Sequence, residues 1–131
     1  MALKIKNGKL VIPESSIEKA VTTLLECDGW RSFKMEQNFS PVKMKIVGEA
    51  GMPDHLYIRY REEWSVWPGL AQVLWIEYKS AKGKLSASQR IWHEAENKRG
   101  AWTLIAGIDF KPSLEGFCEW YRNSGLMRRK I

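Results

Sequence analysis

Soft metal ligands are scarce in this 131-residue chain, which has only two cysteines and two histidines. Cys27 and Cys118 stand alone, without the paired spacing of a zinc site, and both thiols are expected to stay reduced. No stretch approaches the roughly 18 apolar residues of a membrane span. The amino terminus lacks the pattern of a secretory signal, and there is neither an internal repeat nor a low-complexity segment. These absences argue against a disulfide scaffold, a zinc module and a membrane protein, and they point to the cytoplasm.

What remains is a basic globular chain with a net charge of +6 and 44% hydrophobic residues. Its length suits a single domain, residues 1–131, with a core over about 14–122 and a basic tail over 123–131 that includes Arg128, Arg129 and Lys130. The positive balance favours a polyanionic partner, although charge alone does not separate nucleic acid from an anionic membrane or from simple solubility. Lys43, Lys45, Arg59, Arg61, Lys82, Lys84, Arg90, Lys98 and Arg99 cluster in or beside the segments of interest, diluted by Glu62, Glu63, Glu94 and Glu96.

Hydrophobic periodicity predicts a helix over about Ser16–Cys27, with Ile17, Ala20, Val21, Leu24 and Leu25 as its core stripe. Strands are predicted near Trp30–Glu36, Lys43–Val47, Leu56–Arg61 and Gln72–Tyr78, then a helix over Ala87–Arg99, a strand over Trp102–Ile105 and a helix over Leu114–Asn123. That order predicts an α/β fold, a small mixed central sheet flanked by helices. Trp75 and Trp102 are expected in the core. Trp64 and Trp67 fit three roles: stacking on unpaired bases, a partner contact, or packing back on the core.

The chemistry concentrates in three short segments. Along the Gln72–Tyr78 strand, Val73, Trp75, Glu77 and Lys79 share one face, so an apolar face ends in two opposite charges where the strand should reach the rim of the sheet. By itself this pattern is also that of a surface ion pair. Asp54 follows a turn signal, Gly48–Pro53, and precedes a neighbouring strand; alone it reads as a turn aspartate. Two acids converging from adjacent strands, with a lysine beside them, form a partial oxygen site for magnesium or manganese. The backbone carbonyl of Tyr78 is a further candidate ligand.

Gly51-Met52-Pro53-Asp54, Ile76-Glu77-Tyr78-Lys79-Ser80 and Gly83-Lys84-Leu85-Ser86-Ala87-Ser88-Gln89, with an upstream helix carrying Glu18, resemble the PD-(D/E)xK nuclease superfamily and within it the VRR-NUC (virus-type replication-repair nuclease) family. The resemblance covers roughly residues 14 to 107. It implies a restriction-endonuclease-like core and metal-dependent DNA cleavage, with Asp54, Glu77 and Lys79 catalytic, Glu18 a metal contact through water, and Gln89 a polar contact near the site. It also implies a homodimer acting on branched DNA such as four-way junctions, with a bacterial cell or phage-infected host as the expected setting; the sequence does not identify a helicase or repair protein that would work beside it. Lys82, Lys84 and Arg90 are the expected DNA contacts.

Competing readings stay open at this stage. Ser15-Ser16-Ile17-Glu18 and Ser86-Ala87-Ser88-Gln89 both fit a capping box, in which Glu18 and Gln89 return to their own helix starts. His93 lies one turn after Gln89 and reads as a surface or packing residue, or as one that approaches the DNA or the metal. At the level of function, the rivals are a sequence-specific restriction-type nuclease and a noncatalytic DNA-binding module with the same fold.

Overall fold

The computed structural model describes residues 4–6, 9–35, 39–40, 45–46, 49–60, 71–79 and 84–128. In chain order the elements are β1 (Lys4–Lys6), β2 (Lys9–Val11), α1 (Glu14–Cys27), β3 (Arg31–Lys34), β4 (Phe39–Ser40), β5 (Lys45–Ile46), β6 (His55–Tyr60), β7 (Ala71–Glu77), α2 (Ala87–Lys98), β8 (Trp102–Ile105) and α3 (Leu114–Ser124). The fold is mixed α/β. Its centre is a four-stranded sheet in the order β3-β6-β7-β8, while β1-β2 and β4-β5 form small separate antiparallel pairs. The β1-β2 pair and β4 had no counterpart in the periodicity, because strands of two or three residues are too short to show an alternation.

Within the sheet β3-β6 and β6-β7 are antiparallel, and β7-β8 is parallel. A parallel pair needs a crossover, and α2 occupies it. The register decides what each face carries. His55, Tyr57 and Arg59 stand level with Ile76, Leu74 and Gln72, and Leu74 and Ile76 in turn with Trp102 and Leu104. This face lies beneath α1 and α3. Ile17, Val21 and Leu25 of α1 and Phe117 and Tyr121 of α3 join Trp30, Tyr57, Leu74, Ile76 and Leu104 in one core. The opposite face carries Leu56, Trp75, Glu77 and Thr103, and α2 crosses it, with Trp92 meeting Trp75 edge-to-face at 5.1 Å.

Three sequence expectations are corrected here. Arg59 is not part of a basic surface: it is 2% exposed and its guanidinium lies 3.1 Å from the buried Asp28 carboxylate. Its side chain shares the inward face with Tyr57, so it meets α3 and the Asp28 turn rather than solvent. Trp102 is 42% exposed, because it opens the edge strand β8 and rests on Trp120 at 5.8 Å rather than inside the core. Residues 125–128 belong to the body of the domain rather than to a tail: Leu126 is buried, and the Arg128 amide donates to Asp28 at 3.0 Å. Arg129 and Lys130 lie outside the described residues, as do Trp64 and Trp67.

His93 proves to be a packing residue. It is 3% exposed on the buried face of α2, its ring lies edge-to-face with Trp92, and neither ring nitrogen has a hydrogen-bond partner. Burial pushes its pKa down from 6.5 to about 4. The unfolded chain therefore binds the proton first as pH falls, and His93 withdraws stability from about pH 6.5 down to about pH 4. By 1.36 kcal/mol per unit the loss is at most about 3 kcal/mol. Denaturant unfolding at pH 7 and pH 4.5 is expected to show His93→Leu losing less stability than wild type across that interval; equal losses would remove His93 as the cause.

Candidate functional site

A cleft of about 410 Å³ opens at the carboxyl end of β7, lined by Glu14 and Glu18 from α1, by Gly51, Met52 and Asp54 of the loop before β6, by His55, by Glu77–Lys79, and by Ser86, Ser88 and Gln89 at the start of α2. The central strand ends there because Glu77 closes the ladder: its backbone carbonyl accepts the Ala106 amide at 3.0 Å, and the chain then turns toward α2. Asp54, Glu77, Lys79, Glu18 and Gln89, singled out from sequence, therefore converge on one cavity.

Glu77 is 8% exposed, and two side chains address the same oxygen. Gln89 Nε2 donates to Glu77 Oε1 at 2.7 Å, and Lys79 Nζ lies 3.4 Å from it. Burial raises the Glu77 pKa above the ordinary carboxylate range; Lys79 opposes the shift, while the negative charges of Asp54 and Glu14 add to it. Excess negative charge in a partly dry cleft is the electrostatic condition that a cation would relieve.

The two capping questions resolve differently. At α2 both readings hold at once: Gln89 Oε1 accepts the Ser86 amide at 2.9 Å and Ser86 Oγ accepts the Gln89 amide at 3.2 Å, which leaves Gln89 Nε2 for Glu77. A single amide thus closes the helix start with its oxygen and holds the cleft carboxylate with its nitrogen. At α1 the box does not form. Pro13 is the N-cap, with its carbonyl accepting the Ser16 and Ile17 amides, and the helix begins at Glu14. Proline suits a helix start, since its φ is already helical and its missing N–H is not needed there. The earlier start moves Glu18 into the second turn. Its carboxylate turns to the cleft, where His55 Nε2 lies 2.7 Å and Lys34 Nζ 3.8 Å from Oε1.

His55 was missed by sequence reasoning. It follows Asp54 and opens β6, and only the pairing of His55 with Lys34 and Ile76 puts its ring on the α1 face. The ring meets Tyr78 edge-to-face at 4.9 Å, and the Tyr78 hydroxyl continues to Tyr57 at 2.6 Å and from there to Thr22 at 2.7 Å. Burial raises the pKa of both tyrosines, Tyr57 to about 12, so they stand behind the cleft as neutral hydrogen-bonding groups.

Asp54 itself is exposed, at the end of a loop fixed from both sides. Its backbone carbonyl accepts the Met35 amide, and Glu49 accepts a hydrogen bond from Trp92 Nε1 at 2.7 Å. Gly51 sits between them with φ +85°, and a Cβ there would lie 2.1 Å from the Ser88 carbonyl oxygen. Only glycine allows the Asp54 loop to lie this close to the first turn of α2. Gly51→Ala is expected to cost about 1–3 kcal/mol from the backbone conformation alone, with the clash in addition. The denaturant midpoint measures it; an unchanged midpoint would mean that the loop is free to move away from α2.

Lys84 and Arg90 are exposed, whereas Lys82 lies outside the described residues. Among the described residues no three His, Cys, Asp or Glu side chains are gathered closely enough to hold a metal ion by themselves. The acids that line the cleft, Glu14, Glu18, Asp54 and Glu77, offer oxygen donors of the kind that magnesium or manganese takes while keeping much of its water shell. No helix among the described residues is long and apolar enough to cross a membrane. No family model, no curated protein and no solved structure shows significant similarity to the chain.

Proposed function

We propose that this protein is a magnesium- or manganese-dependent endonuclease of the VRR-NUC type that hydrolyses phosphodiester bonds in branched DNA, four-way junctions first among them. The observation that carries this reading is the convergence of Glu18 from α1, Asp54 from the loop before β6, Glu77 and Lys79 from the end of β7, and Gln89 from α2 on one cleft at the end of the central strand. A structural ion pair of Glu77 and Lys79 would not need Asp54 and Glu18 brought to the same cavity.

In this reading Asp54 and Glu77, with the Tyr78 backbone carbonyl, would hold the metal, and Glu18 would contact it through water. The bound cation supplies Lewis-acid polarisation of the scissile phosphate and a water of lowered pKa. Lys79, with its ammonium 3.4 Å from Glu77, orients the attacking water and offsets charge on the phosphate as it develops. Gln89 keeps the Glu77 carboxylate facing the cleft through its 2.7 Å hydrogen bond. Lys84 and Arg90 meet the DNA backbone, and a homodimer places a second cleft against the opposing strand.

The test is cleavage of a labelled four-way junction beside linear duplex and single strand, with magnesium, manganese or EDTA. Symmetric, metal-dependent cuts confined to the junction support the reading. Metal-dependent cuts at one sequence in linear duplex favour a restriction-type enzyme. Salt-sensitive binding without cutting under any metal favours a binding module with this fold.

A further inference from the structure

We infer that His55 is a positioning residue, which holds the Glu18 carboxylate at the cleft and so strengthens the grip of the cleft on a divalent cation. This rests on the nuclease reading, because it gives Glu18 its role there.

Glu18 lies on α1 and Asp54 and Glu77 lie on the sheet, so the cleft is completed only if the helix carboxylate is held toward the strands. The side chain of Glu18 is 26% exposed and free to rotate toward solvent unless something retains it. His55 does so from a fixed position. It is 6% exposed, its ring is set edge-to-face against Tyr78, and Nε2 lies 2.7 Å from Glu18 Oε1. Lys34 Nζ, at 3.8 Å on a side chain 57% exposed, is the looser of the two contacts.

The ring N–H is not aligned with the carboxylate, so Nε2 remains a buried nitrogen without a formed hydrogen bond. A buried polar atom in that condition is costly to keep. An apolar residue would open β6 more cheaply, and Leu56 and Ile58 show that the strand otherwise accepts aliphatic side chains. Groups that orient a metal-binding side chain in this way commonly govern affinity by about 10-fold or more.

Manganese binding to the DNA-free protein, measured by calorimetry at one pH, tests this without relying on turnover. Wild type, Asp54→Asn, Glu18→Gln, His55→Phe, His55→Gln and the His55→Phe/Glu18→Gln double variant are compared. His55→Phe is expected to weaken binding about 10-fold, Glu18→Gln by a similar factor, and the double variant by no more than either single one, the mark of two residues acting as a unit. His55→Gln, whose polar amide can keep a contact with Glu18, is expected to recover most of the affinity and serves if His55→Phe does not fold.

Three results overturn the inference. If Asp54→Asn abolishes binding while both His55 variants bind as wild type does, the metal site stands and His55 has no part in it. If the effects of His55→Phe and Glu18→Gln simply add, the two residues act separately. If Asp54→Asn leaves manganese binding unchanged, the nuclease reading fails and the inference with it.

Discussion

Lys79→Ala and Glu77→Gln are each expected to lower metal-dependent junction cleavage by about 10²–10³-fold, the usual cost of removing one electrostatic participant. They should differ in everything else. Lys79 makes its described polar contact with Glu77, so removing the ammonium leaves a buried carboxylate next to the charges of Asp54 and Glu14. Lys79→Ala is therefore expected to lose stability as well as activity. Glu77→Gln does the opposite. Burial already disfavours the Glu77 charge, and a neutral amide of the same shape removes that cost. Its Tm is expected to match or exceed that of wild type while cleavage collapses.

The pH dependence separates the two further. A carboxyl whose folded pKa is raised binds its proton more readily in the folded chain, so the Glu77 contribution favours folding as pH falls and is lost as pH rises through its folded pKa. Glu77→Gln carries the stability of the uncharged form at every pH, and the gap to wild type should widen toward neutral pH. Cleavage in the wild type runs the other way, because the proposed ligand form of Glu77 is the anion. If Glu77→Gln retained cleavage, or lost stability at neutral pH, the carboxylate would be a structural partner of Lys79 and Gln89.

How much of this was visible in the sequence depends on the range of the interaction. Glu77 and Lys79 were legible because a strand has a period of two, and an apolar face that ends in charges marks the end of the strand. The Ser86–Gln89 cap was legible for the same reason: its partners are three residues apart, and the box formed as expected. The resemblance gave Gln89 only a polar contact near the site, and no local rule named Glu77 as its second partner. Arg59 was misread because its partners lie on the Asp28 turn and the Leu126 segment, 31 and 67 residues away, where periodicity carries no information. Glu18 could be read as a cap because the Ser15–Glu18 spacing fits, and the competing signal was Pro13, which starts the helix earlier. His55 had no signal at all until the register of β3 on β6 was known.

Asp28→Ala is expected to cost about 3–5 kcal/mol, the penalty for leaving a buried charge without its partner, and to lower Tm by more than about 10 °C in a domain of this size. Asp28 and Arg59 are 3% and 2% exposed and 3.1 Å apart. Around them, Arg59 donates to the Leu126 carbonyl at 2.7 Å and to Gln72 at 2.8 Å, and its guanidinium lies 4.4 Å above the Trp30 ring. Tyr121 and the Arg128 amide donate to the same Asp28 oxygen, and Trp30 Nε1 donates to Tyr121 at 2.9 Å. One carboxylate thus ties the α1 turn, β6, α3 and the segment after it. Its removal leaves the buried guanidinium, whose pKa burial already presses down, with neutral partners alone.

Replacing both partners by apolar residues, Asp28→Leu with Arg59→Met, is expected to recover only part of the loss: desolvating two ions offsets much of their attraction, but the Leu126 carbonyl and the Arg128 amide lose a partner. A cost for Asp28→Ala below about 1 kcal/mol would place the pair among weak surface contacts instead. The network and the cleft lie at opposite ends of β6, Arg59 level with Gln72 and His55 level with Ile76. Asp28→Ala should therefore leave manganese affinity unchanged wherever the variant is still folded, whereas His55→Phe should change the affinity. A fall in both would mean that the two ends of the strand respond as one unit.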